Sequence, residues 1–230
     1  MRWQHEMARC RPPDKLGVIP VPPSTIAAVL ADIDSANAAD PRRDLVAGVE
    51  RPRELVYAER MSERLSQLYP NASDELRIAA RAQHICRWQV PRASYPIGRE
   101  GYNSWRTACR VHHADVTAAI LRRHGTAEAV IAKVGKIICK HELKSDADSQ
   151  ALENVAAIVF VQFYFDAFLA EHRDYNEDKI VTILSKTLRK MDGTGHAAVL
   201  ALSHSPQASR LIMRATAPRQ GTTAGGGAVV

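Results

Sequence analysis

Hydrophobic residues recur along most of this chain at intervals of three and four, the spacing that places them on one face of an α-helix. Bounded by capping residues and prolines, such runs predict helices over 24–37, 53–69, 73–88, 104–124, 126–141 and 149–171, one opening at Asn176, and short helices near 197–202 and 207–214. The chain has no strand-like alternation, no hairpin turn signal and no βαβ rhythm. We therefore predict an all-α fold, built as a single helical bundle domain over residues 24–217.

Residues at the ends of these runs predict where individual helices begin and end. Ser73, Thr126 and Asn176 are predicted N-caps, because their side chains can accept a hydrogen bond from a free backbone N–H group. Gly125 predicts the C-cap of the helix before it. The run over 149–171 is apolar nearly all round, so we expect it at the centre of the bundle.

The two ends of the chain differ in composition from the helical region. Residues 1–23 hold five prolines with little periodicity and 218–230 read PRQGTTAGGGAVV, so we predict a flexible lead-in and a disordered tail. The run 151–170 approaches membrane-spanning length but carries Glu153, Asn154, Gln162 and Asp166. No apolar secretory signal opens the chain, and its four cysteines form no C-x-x-C pair. We predict a soluble cytoplasmic protein with no membrane contact, no disulfides and no thiolate zinc site.

Positive charge is concentrated in one region. Residues 76–114 hold seven arginines, no lysine and one acid, an excess equal to the formal net charge of +6 of the whole chain. Guanidinium groups suit bidentate binding of phosphate or carboxylate, so this region predicts an anion site. The alternative is that several of these arginines pair with acids from elsewhere in the fold.

The segment RIAARAQHICRWQVPRASYP, residues 77–96, combines arginine, histidine and tryptophan, and we predict that the chemistry of the chain lies there. Arg77, Arg81, His84 and Trp88 follow each other at spacings of four, three and four, which predicts one polar stripe on a helix. Two arginines on that stripe would hold an anion next to the histidine. The alternative is a hydrogen-bonded structural histidine.

Further histidines and acids on other predicted helices can accompany His84. His112 follows the apolar spacing of its helix, whereas His113 falls in line with the arginines and is the predicted functional residue. Glu153 opens the most apolar helix, where a carboxylate is costly unless it is paired or binds a cation. With Glu59, these residues predict a divalent metal site made by His84, His113, Glu153 and Glu59. The alternative for Glu153 is an exposed acid in the first turn of the helix.

Six phrases in one order resemble a known family: PRELVYAERM, RAQHICRWQVPRASYP, GYNSWR, the pattern around His113, QALENVAAIVF and KTLRKM. They are similar to the bacterial and fungal family called domain of unknown function 4202, over roughly 33–202. Members of that family are sometimes labelled glutamyl-tRNA synthetase. Here QHICRW and RKMD are only faintly similar to the two nucleotide-binding signatures of that enzyme class, and no Rossmann domain is predicted around them.

A more distant resemblance implies the type of reaction that the protein catalyses. The order of ligands over the helices, with HHADVTAAILRRHG as the most similar piece, looks like the HD superfamily of all-α metal-dependent phosphohydrolases. That resemblance implies an HD-like fold and a divalent metal. The sequence departs from the HD pattern in two places, since Glu59 stands where a first histidine is expected and Ile85 where the aspartate follows the histidine.

The resemblance and the charge pattern lead to two predicted functions. The first is metal-dependent hydrolysis of a small phosphorylated or otherwise anionic substrate, with catalytic His84, Arg87, Arg92 and Arg106. The predicted substrate-binding residues are Arg81, Trp88, Tyr95 and Trp105. The second is a non-enzymatic module that binds RNA, a nucleotide or another anion through the arginine-rich region. The two are distinguished by whether the arginines line a pocket or an open surface, and the oligomeric state is left open.

Overall fold

Ten α-helices and one small hairpin make up residues 23–217, the part of the chain that the computed structural model describes. The helices are α1 (Pro23–Ala38), α2 (Arg53–Leu68), α3 (Asp74–Arg81), α4 (Arg99–Arg123), α5 (Glu128–Cys139), α6 (Ala147–Val159), α7 (Phe165–Glu171), α8 (Glu177–Leu188), α9 (Gly193–Leu200) and α10 (Pro206–Thr216). The hairpin strands are β1 (Arg43–Val46) and β2 (Val49–Pro52). The predicted all-α class is confirmed. The predicted tail, and the predicted lead-in except for Pro23, lie outside the described residues.

Two hydrophobic clusters form the interior, and α6 belongs to both. Leu152, Val155 and Val159 of α6 pack in the first cluster, with apolar residues of α1 to α5. Ile158 of α6 packs in the second, with residues of the last four helices, among them Phe165. The prediction that this helix lies at the centre is therefore correct. Its side chains are apolar nearly all round because it is covered by other helices nearly all round.

The predicted long helix over 149–171 contains a change of pitch. A π-helical turn over Phe160–Tyr164 separates α6 from α7, and turns of this kind are frequent at functional sites. The stretch Ala147–Glu171 is long and apolar enough to cross a membrane by length and composition, but 56% of its most apolar window is buried inside the protein. Such burial is expected of the core helix of a soluble protein.

The hairpin corrects the prediction that the chain contains no strands. It turns through Ala47 and Gly48, which both have positive φ, 49° and 80°. A two-residue turn of this hand is usually encoded by Asn-Gly or Asp-Gly, so an Ala-Gly turn between two four-residue strands gives little signal in the sequence. The hairpin matters for the site because it leads directly into α2 and holds Arg42 beside the start of that helix, where Arg53 N–H donates to the Arg42 carbonyl at 3.0 Å.

The predicted helix over 73–88 is shorter than expected, which is a second correction. It ends at Arg81, and a short 3₁₀ turn follows over Arg87–Gln89. Between them Cys86 has a left-handed φ of 52°, and its N–H donates to the side-chain oxygen of the buried Asn37 at 3.2 Å. The turn over 82–86 has already replaced the helix at this point, and the Asn37 side chain satisfies the Cys86 N–H that a helical carbonyl would otherwise bind. The polar stripe predicted for a continuous helix therefore does not form.

Two of the predicted N-caps are confirmed and one is wrong. Ser73 Oγ accepts from Leu76 N–H at 3.1 Å, and Asn176 Oδ1 accepts from Lys179 N–H at 2.9 Å. Thr126 does not cap α5, which begins at Glu128. The same helix ends at Cys139 rather than His141, because Lys140 takes a left-handed φ of 56°. That conformation is uncommon for a residue with a side chain, and it occurs here at a residue of the site.

Candidate functional site

A cleft of about 490 Å³ opens between α2, α4 and the helices that follow α5. Its walls carry an excess of basic over acidic side chains. The basic residues are Arg42, Arg53, Arg87, Arg106, Arg110, Lys140 and Lys190, and the acidic residues are Glu54 and Glu153. The far wall is apolar and contains Phe160, Phe168 and Ile183, from the π-helical turn, α7 and α8.

Three of the guanidinium groups in the cleft, those of Arg87, Arg106 and Arg110, form no ion pair with a carboxylate among residues 23–217, although Arg87 acts on Glu54 from a greater distance. Arg87 lies over the ring of Trp105, with 4.6 Å from its central carbon to the ring centroid. Trp105 is itself fixed, since its indole N–H donates to the Val90 carbonyl at 2.9 Å. Arg106 and Arg110 are four residues apart on α4 and so project from one face.

The two other arginines of the cleft are neutralised by acids close to them in the chain. Arg42 forms a bidentate pair with the fully buried Asp40 and also donates to Glu54 Oε1 at 2.7 Å. Arg53 pairs with Asp44 at 2.7 Å. Among the arginines of the cleft, Arg42 and Arg53 are therefore paired with acids, whereas those on α4 and the segment before it are not.

Glu54 and His84 form a pair at the floor of the cleft. His84 Nδ1 lies 3.3 Å from Glu54 Oε2, and the imidazole stacks on the ring of Tyr57, with centroids 3.9 Å apart. Burial raises the pKa of Glu54 although Arg87 and Arg42 oppose the shift. Burial also lowers the pKa of His84 well below its usual range, and Arg87 and Lys140 lower it further. The lowered pKa favours the neutral ring of His84 at pH 7, and the Glu54 carboxylate lies beside Nδ1 without forming a hydrogen bond to it.

His113 continues the row of rings next to His84, with centroids 5.7 Å apart. Only 1% of its surface is exposed, both ring nitrogens are closed to solvent, and neither meets hydrogen-bond geometry within the described residues, although the Gln83 backbone lies close enough to act on the ring. Burial lowers its pKa well below the usual range, as do His84 and Arg87, while the Gln83 backbone acts in the opposite direction. His113 is a neutral imidazole at the deepest part of the cleft.

Glu153 is held by two lysines rather than left free for a ligand. Lys140 Nζ donates to Glu153 Oε2, and Lys190 Nζ lies 3.4 Å from Oε1. Although burial raises the pKa of Glu153, the two ammonium groups outweigh it and lower the pKa to about 2. The ionised Glu153 carboxylate therefore contributes stability at neutral pH that is lost as the pH falls from about 4 towards 2, whereas burial lowers the pKa of Lys140 in spite of Glu153, so the buried ammonium offsets part of that contribution.

These contacts do not fit a divalent metal. Within the described residues no three His, Cys, Asp or Glu side chains are grouped as a metal site would require. Glu153 is already neutralised, and the imidazoles of His84 and His113 lie near unpaired guanidinium groups that repel a cation. Glu59 pairs with Arg51 at 2.7 Å and does not line the cleft. The predicted four-ligand site is therefore not assembled.

Five of the predicted site residues line the cleft, and the other six do not. The residues that line the cleft are His84, Arg87, Arg106, His113 and Glu153. Those that do not are Glu59, Arg81, Trp88, Arg92, Tyr95 and Trp105.

The predicted residues outside the cleft have structural contacts of their own. Arg81 forms a bidentate pair with Asp34 at 2.6 and 2.7 Å. Arg92 donates to the carbonyls of Tyr95 and Pro96, both at 2.9 Å, and so closes the loop before α4. Trp88 packs against the first hydrophobic cluster. Their predicted roles in substrate binding and catalysis have no geometric support here.

Several residues of the cleft were missed by reasoning from the sequence. Glu54 and Tyr57 lie on α2, the helix on which the sequence predicted Glu59 as the acidic ligand. Gln83 lies in the family phrase RAQHICRWQVPRASYP, but no role was predicted for it. The sequence does not single out Lys140, and only the structure reveals the left-handed turn at which it pairs with Glu153. A usable signal was present for Arg110 alone, since it shares the helical register of Arg106 and His113.

Comparison with known proteins supports one part of the sequence interpretation. The model of the family described as Domain of unknown function (DUF4202) matches residues 27–212, a range that includes every residue of the cleft. No curated protein and no solved structure matches the chain. The family resemblance is thus confirmed, whereas the resemblance to the HD superfamily stays a prediction.

The opposite environments of Glu153 and Glu59 lead to a stability prediction. Replacing Glu153 with Gln leaves the buried Lys140 ammonium without its carboxylate, so we expect a loss of about 3–5 kcal/mol in the free energy of unfolding. The matched change Glu59→Gln breaks a half-exposed pair and should cost about 0–1 kcal/mol. Urea unfolding at pH 7 measures both. Equal effects of the two substitutions would contradict the assigned roles.

Proposed function

The chain belongs to the DUF4202 family, whose description assigns no function, and we propose from the cleft itself that the protein binds a small, multiply charged anion. The observation that carries this proposal is the convergence of three guanidinium groups without carboxylate partners in one cleft. Guanidinium groups in a partly buried site bind phosphate or carboxylate oxygens through charge-assisted hydrogen bonds. A phosphate ester fits best, because its dianion can accept from three arginines at once.

Repulsion between the like charges of the unliganded cleft supports the same proposal. Burial lowers the pKa of Arg110, and the neighbouring Arg106 lowers it further, so the unliganded site holds like charges close together. An anion placed among them removes this repulsion and replaces the water that the guanidinium groups have lost. The site is therefore arranged to gain affinity from an anion and to reject a cation.

The shape of the site favours a small ligand over RNA. Arg87, Arg106 and Arg110 line a concave cleft whose volume is in the range of small-molecule sites. Two other arginines of the same region are engaged elsewhere, Arg81 with an aspartate and Arg92 with backbone carbonyls. A polyanion would need an extended row of free cations along the surface. The predicted RNA partner is therefore the weaker of the two alternatives, and a cytoplasmic location stays a prediction.

Hydrolysis of the bound ester is a second candidate function, favoured by the pair of Glu54 and His84. A carboxylate 3.3 Å from Nδ1 of a neutral imidazole is close enough to orient a general base once the ring turns into hydrogen-bond geometry. Nε2 would take a proton from the attacking water as its oxygen bonds to phosphorus, while the bond to the ester oxygen breaks on the opposite side and that oxygen takes a proton from solvent. The predicted metal enters none of these steps, because the donors in the cleft do not fit one.

The anion-binding proposal is tested by removing one free guanidinium. We expect Arg106→Gln to weaken the binding of methyl phosphate by about 10- to 100-fold, the usual effect of losing a hydrogen bond to a charged group. Isothermal titration calorimetry measures the dissociation constant. The matched control is Arg77→Gln, which removes the same charge outside the cleft and should leave the constant within about twofold.

Two outcomes would contradict the proposal. One is an intact protein that binds neither inorganic phosphate nor methyl phosphate at low salt. The other is an equal loss of affinity in the two variants, which would indicate general electrostatic attraction and would favour the RNA alternative.

The hydrolytic candidate is tested by the pH profile of turnover. If His84 acts as a general base with a lowered pKa, the rate of p-nitrophenyl phosphate hydrolysis should stay level from pH 8 to below 6.5 and decline only at lower pH. Glu54→Gln should lower kcat by about 10²-fold or more, the range of general-base contributions, while KM changes little. Turnover that is absent in the intact protein, or unchanged in Glu54→Gln, would leave binding as the function.

A further inference from the structure

The apolar wall of the cleft has no role in binding an anion. Phe160, Phe168 and Ile183 line the cleft and are only half-buried, so part of each apolar side chain is open to it. Apolar surface in contact with water is unfavourable, and an apolar group that covers it gains free energy. The cleft, at about 490 Å³, also has the volume of a site for a whole organic molecule rather than for a phosphate group alone.

The side chains that α6 contributes to the cleft change from charged to apolar along the helix. Glu153, Ala156, Ala157 and Phe160 all line the cleft, and their spacing of three, one and three residues places them on one face. At 1.5 Å per residue, Phe160 lies about 10 Å beyond Glu153 along the helix axis. The two alanines between them have short side chains, so this part of the wall leaves room for a ligand.

The side chains of α8 follow the same order, and the charged ends of the two walls meet. Ile183 and Thr187 of α8 line the cleft, as does Lys190 just after the helix. Lys190 Nζ lies 3.4 Å from Glu153 Oε1. Ile183 is seven residues before Lys190, which is about 10 Å along a helix. The cleft therefore has a charged end and an apolar end.

The free arginines of α4 lie towards the charged end. Burial raises the pKa of Glu153, while the two lysines and Arg106 lower it. Burial and Arg106 lower the pKa of Arg110, whereas Glu153 raises it. Charges affect each other in this way only over short distances. An anion bound by Arg106 and Arg110 would thus lie at one end of the cleft, with the apolar wall at the other.

We propose that the ligand of this cleft is an amphipathic phosphate monoester, with its phosphate at Arg106 and Arg110 and an apolar group, aryl or alkyl, against Phe160, Phe168 and Ile183. This inference rests on the proposed anion-binding function and adds the class of the organic part. It gives the arginines the role of attracting the ligand and the apolar wall the role of selecting it. A polar group at the apolar end would lose its water without gaining a hydrogen bond.

Matched phosphate esters test the inference on the intact protein. Hexyl phosphate is compared with methyl phosphate and with 6-hydroxyhexyl phosphate, which has the same charge and chain but a polar end. Calorimetry should give a dissociation constant at least about tenfold lower for hexyl phosphate than for either, because each buried methylene tightens binding by about three- to fourfold. The aryl ester 3-phenylpropyl phosphate has a similar length, and the tighter of the two apolar esters identifies the group.

Variants of the wall connect the preference to its residues. Ile183→Asn places a polar group at the apolar end and Ala156→Leu fills the space between the ends, so each should reduce the preference over methyl phosphate to about threefold or less. The matched control is Leu200→Asn, at an exposed residue outside the cleft, which should keep the preference within about twofold. Arg106→Gln should weaken both esters by a similar factor and so also keep the preference. The Tm of each variant checks that it is folded.

The outcomes separate this inference from the function on which it rests. Phosphate esters that bind with no preference for either apolar ester overturn the inference and leave the anion site in place. Equal binding of hexyl and 6-hydroxyhexyl phosphate, or a preference that persists in both folded wall variants, also overturns it. An intact protein that binds none of these phosphates contradicts the anion site itself.

Discussion

The buried ion pair between Glu153 and Lys140 is the interaction on which the cleft depends. It joins α6, the helix common to both hydrophobic clusters, to the left-handed turn that ends α5. A carboxylate at this depth would be unfavourable alone, and the two lysines keep it ionised. Glu153 still offsets part of the charge of Arg110, whose pKa it raises against the effect of burial, but the two lysines that pair with it bring two positive charges for its one negative charge. The positive excess of the cleft is therefore a consequence of how the core satisfies its own buried acid.

Hydrogen bonds outside the cleft position the residues inside it. Asn37 accepts from Cys86 N–H and so holds the turn before Arg87 in place. Trp105 is fixed by its bond to the Val90 carbonyl, and its ring supports the Arg87 guanidinium. On the opposite side, Asp40 and Arg42 hold Glu54 beside His84. Arg87 and Glu54 thus each have a structural partner that comes from another segment, whereas Arg106 and Arg110 form no ion pair with an acid among the described residues.

The helical fold was predictable because it is encoded locally, whereas the site was predictable only in part. Apolar spacing and the caps at Ser73 and Asn176 require information from a few neighbouring residues. His84, Arg87, Arg106, His113 and Glu153 were identified from local chemistry, and all five line the cleft. Their roles depended on tertiary partners that the sequence does not reveal. A set of metal ligands was inferred from acids and imidazoles. In the structure, Lys140, just after α5, and Lys190, just after α8, pair with Glu153 instead.

The central claim, that Arg87, Arg106 and Arg110 hold an anion, is tested most directly by locating one. Tungstate has the tetrahedral shape of phosphate, and its anomalous scattering identifies it without ambiguity in a crystal of the intact protein. The expected result is an anomalous peak within hydrogen-bonding distance of at least two of these three guanidinium groups. Tungstate bound only at other basic residues, with the cleft free of anomalous density at saturating concentration, would contradict the claim.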